Sequence, residues 1–300
     1  MAQETVITIV AGTEGGLTPA VEKQLAATVK SAGVEDLRLD TLASGKAADC
    51  IVRGNSAELT VVLRQKLQNM TGFDIFVQPL DDFRKKRLLL ADMDATMIEG
   101  ETLDDLAAHL GIKDKIAPIT AQAMRGELDF EEALRLRVGL LKGLPVSALF
   151  ESIEHIKYSK GGEMLVKTMS RLGAKCVLIS GGFDIFTRHV ASTLGFYRNI
   201  GNTLGINGDA LTGEVIPPIV DKETKRKTLV EETKKLGLTP EMTMSVGDGA
   251  NDIPMLQAAS VGVGYFGKPA VVAATPHQVR YSDLTALLYM QGYRKPQLHG

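Results

Sequence analysis

The sequence predicts an α/β chain with a parallel sheet covered by helices, a helical cap inserted over one end of that sheet, and a small α+β unit at the N-terminus. Three observations carry this expectation. Apolar runs stop at polar, Gly-rich turns that open helical patterns in LLLAD (88–92), KCVLISGG (175–182) and MTMSVGDGAND (242–252). Strands that alternate with helices imply βαβ units, hence parallel neighbours buried on both faces. About eighty residues (93–174) separate the first two runs, far more than an ordinary strand-to-helix connection needs. Residues 1–80 alternate short apolar runs with helical patterns and hold no chemical motif.

In chain order, strands are expected at 6–11, 50–52 and 73–77, and helices at 19–32 and 57–68. The segment LDDFRKKR (80–87) reads as a charged, solvated connection, with residues 81–87 as a linker between domains 1–80 and 88–300. Four basic residues beside two aspartates make a poor nucleic-acid patch. Within the second domain, the periodic apolar positions of FEEALRLRVGLLKGL (130–144) place helices in a cap at about 103–165. A hairpin is expected in NGDALTGEV (207–215), where Asn207-Gly208 carries turn chemistry.

Composition narrows the function. A hydrophobic content of 44% over 300 residues is enough for a full core. With 34 basic and 36 acidic residues the formal charge is −2, which gives no overall attraction for nucleic acid or an anionic membrane. Cys50 and Cys176 belong to no CxxC or Cys/His pattern, so neither a disulfide framework nor a zinc site is expected. No apolar run approaches the ~20 residues of a membrane span, and the N-terminus lacks the basic flank of a signal peptide. A cytoplasmic location is expected.

The chemistry gathers at the strand ends. Asp92 and Asp94 are separated by one residue, so in extended backbone their side chains share a side. Asp248 and Asp252 lie in a second turn, GDGAND, after another strand. Carboxylates crowded into one crevice repel by about 4 kcal/mol per pair at ~4 Å in an effective dielectric near ~20. A hard cation removes that penalty, and Mg²⁺ prefers oxygen ligands of this kind. Ser180-Gly181-Gly182 offers a hydroxyl and backbone N–H groups to an anion at a helix start. Lys222, Lys225, Arg226 and Lys227 cluster before another helix, and spacing does not choose among them. GVGYFG (262–267) fits a dinucleotide pattern, but Lys268-Pro269 follows without a convincing helix start, so it reads as a loop near the site. The five histidines show no ligand spacing.

DMDAT, SGG, the lysine segment and GDGAND stand in the order of the four motifs of the haloacid dehalogenase-like phosphatases, which this chain resembles from Asp92 to Asp252. Within that superfamily it is similar to the phosphoserine phosphatases. This likeness rests on Glu101, AMRGELDFEEALRLRVGLLKGLP, LISGGFD and VGDGANDIPML, and it covers most of residues 85–270. The resemblance implies a Rossmann-like haloacid dehalogenase core and Mg²⁺-dependent hydrolysis of O-phosphoserine through an aspartyl phosphate, the last step of serine biosynthesis. It assigns Asp92 as nucleophile and Asp94 as acid and base. It selects Lys225 and gives the metal to Asp92, Asp94 (by its main-chain carbonyl) and Asp248, with Asp252 in support. Glu101 would take the substrate's ammonium and Arg137 its carboxylate. Met124 and Phe130 would line the pocket, with Ser180, Gly181 and Asn251 also binding substrate. One departure is Ala95, where the family has Ser, so a hydrogen bond near the pocket is expected to be missing. The N-terminal unit resembles ACT-type βαββαβ modules, which implies pairing of two copies or binding of an amino acid. Two other readings stay open on sequence alone: a phosphatase for another small phosphomonoester, and an amino-acid-binding regulator with an inactive second domain.

Overall fold

The computed structural model describes residues 4–34, 36–54, 56–124 and 127–299, apart from the side chains of His109 and Met124. The N-terminal unit runs β1 (Glu4–Ala11), α1 (Pro19–Lys30), β2 (Leu37–Ala43), β3 (Ala47–Arg53), α2 (Ala57–Leu67) and β4 (Phe73–Pro79). Its sheet has the order β2-β3-β1-β4 with every pair antiparallel. Both helices start on side-chain caps: the Thr18 hydroxyl accepts from Val21 N, with Pro19 in the first turn, and the Ser56 hydroxyl accepts from Leu59 N. Their buried Leu25, Val29, Leu63 and Leu67 pack on Ile7, Ile9, Cys50 and Val77 of the sheet. β2 was not among the expected strands. As an edge strand it stays largely solvated, so it shows no apolar run to read.

The second unit begins with β5 (Leu88–Ala91), followed by α3 (Thr102–His109), α4 (Lys113–Met124), α5 (Phe130–Gly139) and α6 (Ser147–Glu154). Next come α7 (Gly162–Arg171), β6 (Lys175–Phe183), α8 (Asp184–Leu194), β7 (Arg198–Asn207), β8 (Ala210–Ile216), α9 (Lys222–Lys235) and β9 (Thr243–Gly247). The chain ends with α10 (Ile253–Ala258), β10 (Val261–Tyr265), α11 (Pro269–Ala274), β11 (His277–Val279) and α12 (Ala286–Met290). Seven strands form one sheet in the order β11-β10-β9-β5-β6-β7-β8. All neighbours are parallel except β7 and β8, which form the hairpin read from NGDALTGEV. Every residue of β5 is buried, as expected of a central strand covered on both faces. The cap helices are tied to the hairpin by backbone bonds: Gly143 N donates to Leu211 O, Leu211 N to Leu144 O and Val146 N to Asp209 O.

Two expectations are amended. The segment 81–87 is largely exposed, but two of its basic residues are tied into the units on either side. The Arg84 guanidinium donates to both oxygens of Asp49 at 2.8 Å and to Met290 O at 3.0 Å, while the Lys86 ammonium donates to Glu241 O at 2.7 Å. Partners far away in sequence satisfy charges that would otherwise have to face water. A helix does follow GVGYFG, since Pro269 occupies the first turn of α11 and needs no N–H partner there. A second clamp joins the units at Asp74, whose carboxylate accepts from the backbone N–H groups of Arg280, Tyr281 and Ser282. Replacing Arg84 with Met strands the buried Asp49 carboxylate. Urea unfolding should show a loss of about 3 kcal/mol, and an unchanged midpoint would remove the guanidinium from the forces joining the units.

Candidate active site

Three adjacent strands deliver the chemistry. β5 runs into Asp92, β6 contains Ser180 and β9 runs into Asp248, with β5 paired in parallel to both of the others. Their carboxyl ends therefore open on one side of the sheet, the side where ligands of open α/β sheets bind. Oxygens of Asp92, Asp248 and Asp252 lie within 4.8 Å of one another, and all three residues are buried.

Lys225 enters this cluster from α9. The Asp221 carboxylate caps that helix by accepting from Thr224 N at 2.7 Å. From there the Lys225 ammonium reaches Asp92 Oδ1 at 2.6 Å and Asp252 Oδ1 at 2.7 Å. Its side chain is 1% exposed. Lys222 and Lys227 are exposed and Arg226 pairs with Glu223, so the fold makes the selection that spacing leaves open. Burial pushes the Asp92 carboxyl well above its ordinary range, and the negative charge of Asp252 adds to this against the pull of Lys225. Burial acts against the Lys225 ammonium too, but Asp252 and Asp92 outweigh it and hold its pKa above the usual value.

This donor set suits a divalent cation. It is anionic, made of oxygen and drawn from separate segments, which matches the hard-ligand preference of Mg²⁺. Asp252 is engaged by the protein at both oxygens, Oδ1 by Lys225 and Oδ2 by Gly249 N at 3.0 Å. Asn251 lines the cavity beside it and donates to Asp252 Oδ1 at 3.4 Å.

The Asp94 carboxylate turns to a different set of partners. Its Oδ2 accepts from the Ser180 hydroxyl at 2.9 Å, and its Oδ1 accepts from Thr102 N at 2.8 Å. Its pKa is raised, with burial as the largest cause and the Thr102 and Ser180 donors opposing it. Ser180 Oγ in turn accepts from Gly182 N at 2.8 Å. A Cβ on Gly182 would stand 2.9 Å from Asp94 Oδ2, and one on Gly181 would stand 3.1 Å from the Phe130 ring, so both glycines permit close approach.

A cavity of about 300 Å³ lies between these strand ends and α5. Phe130, Leu134 and Arg137 line it, and their spacing of four and three residues puts them on one helix face. Arg135 points elsewhere and pairs with Glu131 at 2.7 Å. Glu101 stands at the mouth, ahead of α3, with half of its side-chain surface exposed (50%). Even so, partial burial first, and the charges of Asp94 and Asp248 after it, push its carboxyl up to about 7 against the pull of Lys268. The Met124 side chain is outside the described residues. Ala95 lines a neighbouring cavity and not this one, so the position where the family has Ser does not face the catalytic pocket.

Two residues of the site were not singled out from sequence. Thr102 holds Asp94 through its backbone, and the only sequence signal is its place at a helix start. Lys268 pairs with Asp248 at 2.9 Å, and the sequence marks it only as following a Gly-rich turn.

Known proteins agree with this architecture. The haloacid dehalogenase-like hydrolase family matches residues 89–257, more than half of the chain. A phosphoserine phosphatase from Archaeoglobus fulgidus is 38% identical over 234 residues, covering 78% of this chain and 68% of that protein. The phosphoserine phosphatase from Saccharomyces cerevisiae is 31% identical over 285 residues, covering 92% of each. Among solved structures, a hydrolase of this family from Salmonella enterica serovar Typhi superposes with a TM-score of 0.83 at 29% identity, covering 96% of this chain and 98% of that one. With the motifs, the sheet order and these matches in agreement, the chain belongs to the haloacid dehalogenase-like hydrolases.

Proposed function

We propose that this enzyme is a phosphoserine phosphatase, hydrolysing O-phospho-L-serine to L-serine and phosphate in serine biosynthesis. The carrying observation is a cavity that joins Asp92 and Asp248 of the buried carboxylate cluster to the Glu101 carboxylate and the Arg137 guanidinium. Phosphoserine presents the matching groups: a phosphate, an ammonium and a carboxylate that Arg can grip with parallel hydrogen bonds. The names of the relatives support the same reading.

In this proposal the Asp92 carboxylate attacks phosphorus and the serine oxygen leaves, giving an aspartyl phosphate. Lys225 favours the ionised form of Asp92 against the effect of burial and neutralises charge on the transferring group. Burial raises the pKa of Asp94 and so favours its acid form, and in this role it hands a proton to the departing serine oxygen. It then takes a proton from the water that hydrolyses the acyl phosphate, which releases phosphate and restores Asp92 as a carboxylate and Asp94 as an acid. The Ser180 hydroxyl and the Gly181 N–H hold phosphoryl oxygens. Phe130 and Met124 shape the pocket, and the cap excludes water during the first transfer. Mg²⁺, held by Asp92, Asp248 and the Asp94 main-chain carbonyl, supplies charge neutralisation at the phosphoryl oxygens when bound. Asp252 and Asn251 orient those ligands, and Asn251 also meets the substrate.

The proposal includes a cytoplasmic location, which suits two buried free cysteines. No helix among the described residues is long and apolar enough to cross a membrane. It also includes a homodimer through the N-terminal unit, whose edge strand β2 pairs on one side only among the described strands.

Replacing Asp92 with Asn should lower phosphate release from phosphoserine by about 10³-fold or more, and chelating the divalent cation should stop the wild-type reaction. A panel of phosphoserine, phosphothreonine, phosphoethanolamine and sugar phosphates should show turnover concentrated in the first two. Efficient hydrolysis of a sugar phosphate instead would transfer the enzyme to another substrate, and no released phosphate at all would favour a binding protein. The carboxylate of Glu101 must be ionised to receive an ammonium, so kcat/KM should rise with pH through about 7. In Glu101→Gln that rise should vanish and kcat/KM should fall by about 10²-fold; an unchanged profile would take Glu101 out of substrate binding.

A further inference from the structure

Lys268 touches the two carboxylates that the proposed reaction reserves for other cations. Its ammonium lies 2.9 Å from Asp248 Oδ2 and 3.6 Å from Glu101 Oε1. The backbone builds this contact. After β10, Phe266 takes a left-handed conformation at φ 45°, which costs a bulky side chain steric strain. Its N–H donates to Val279 O at 2.9 Å, and its ring meets Tyr265 edge-on at 4.9 Å. The chain thereby doubles back, and Lys268 N donates to Asp248 O at 2.9 Å before Pro269 opens α11. Main chain and side chain of Lys268 thus both hold Asp248.

The two lysines of the site differ in their freedom to leave. Lys225 is enclosed, whereas Lys268 has 53% of its side chain in solvent above an Asp248 that is 8% exposed. Its ammonium can withdraw into water, while the carboxylate beneath it cannot.

We propose that Lys268 sets the cation and substrate thresholds of the site by competing with the divalent cation for Asp248 and with the substrate's ammonium for Glu101. An ammonium arriving at Glu101 removes one of the two partners of Lys268 and loosens its hold on Asp248. Occupation of the substrate site therefore tightens cation binding, and by linkage the cation tightens substrate binding by the same factor. This rests on the roles given above to Asp248 and Glu101.

The test is calorimetric titration of the full-length protein with Mg²⁺, in the absence and presence of L-serine. In the wild type, serine should tighten Mg²⁺ binding. In Lys268→Gln and Lys268→Met, Mg²⁺ alone should bind about tenfold tighter than in the wild type, and serine should add little. Lys268→Arg, which keeps the charge, should retain the serine effect. Mg²⁺ binding in both neutral variants that is no tighter than wild type, or a serine effect that persists undiminished in them, overturns the proposal. Wild-type turnover of phosphoserine, measured on the same preparation, separates the outcomes. Turnover without the calorimetric change sinks only the role of Lys268, whereas absence of turnover sinks the functional reading beneath it.

Discussion

The catalytic end of the sheet depends on one ammonium held between two carboxylates. Asp92 and Asp252 approach closely in a place with little water, where like charges repel strongly. Lys225, delivered by a helix whose N-terminus Asp221 fixes, bonds to both. A buried ion pair of this kind adds little net stability after desolvation. Its contribution is arrangement, because it keeps the carboxylate that attacks and the carboxylate that supports on the same side of one cation site.

Sheet topology supplies the rest of that arrangement. Since β5 lies between β6 and β9, the Ser180 and Asp248 motifs each sit one strand away from the first aspartate. The distances within the site then follow from strand spacing and need no long loop to be held in place. Asp94, three residues beyond the strand, escapes the cluster by turning toward Ser180 and Thr102. Two aspartates separated by one residue thereby acquire different surroundings and different proton affinities, as a nucleophile and an acid must.

The legible parts of the sequence were those whose signal is local. Apolar runs stopping at polar turns marked β5, β6 and β9, and the periodicity of 130–144 marked the helix that roofs the cavity. Arg135 and Arg137 were equally basic on paper. Two residues of helix separate them by about 200°, so only the packing direction of α5 decides which one meets the pocket. What escaped depends on distant partners. The charges of Arg84 and Lys86 are neutral to local reading, and their burial follows from Asp49, Met290 and Glu241. Thr102 works through its backbone N–H, a group every residue but proline carries. Lys268 acquires its meaning only when a left-handed phenylalanine folds the chain back over Asp248. The raised pKa of Asp94 is likewise a product of burial, which no local pattern shows.

The two faces of the N-terminal sheet have different allegiances. Helices α1 and α2 cover one of them, but Val10, Ala47 and Phe76 on the other belong to the same apolar core as β5 and α12. Neither portion of the chain is therefore a finished object when cut from its neighbour: each would carry a raw oily wall where the other had been. Substitutions along that seam are felt from both sides, so the two portions are bound to change in step even though only one of them holds the reacting groups.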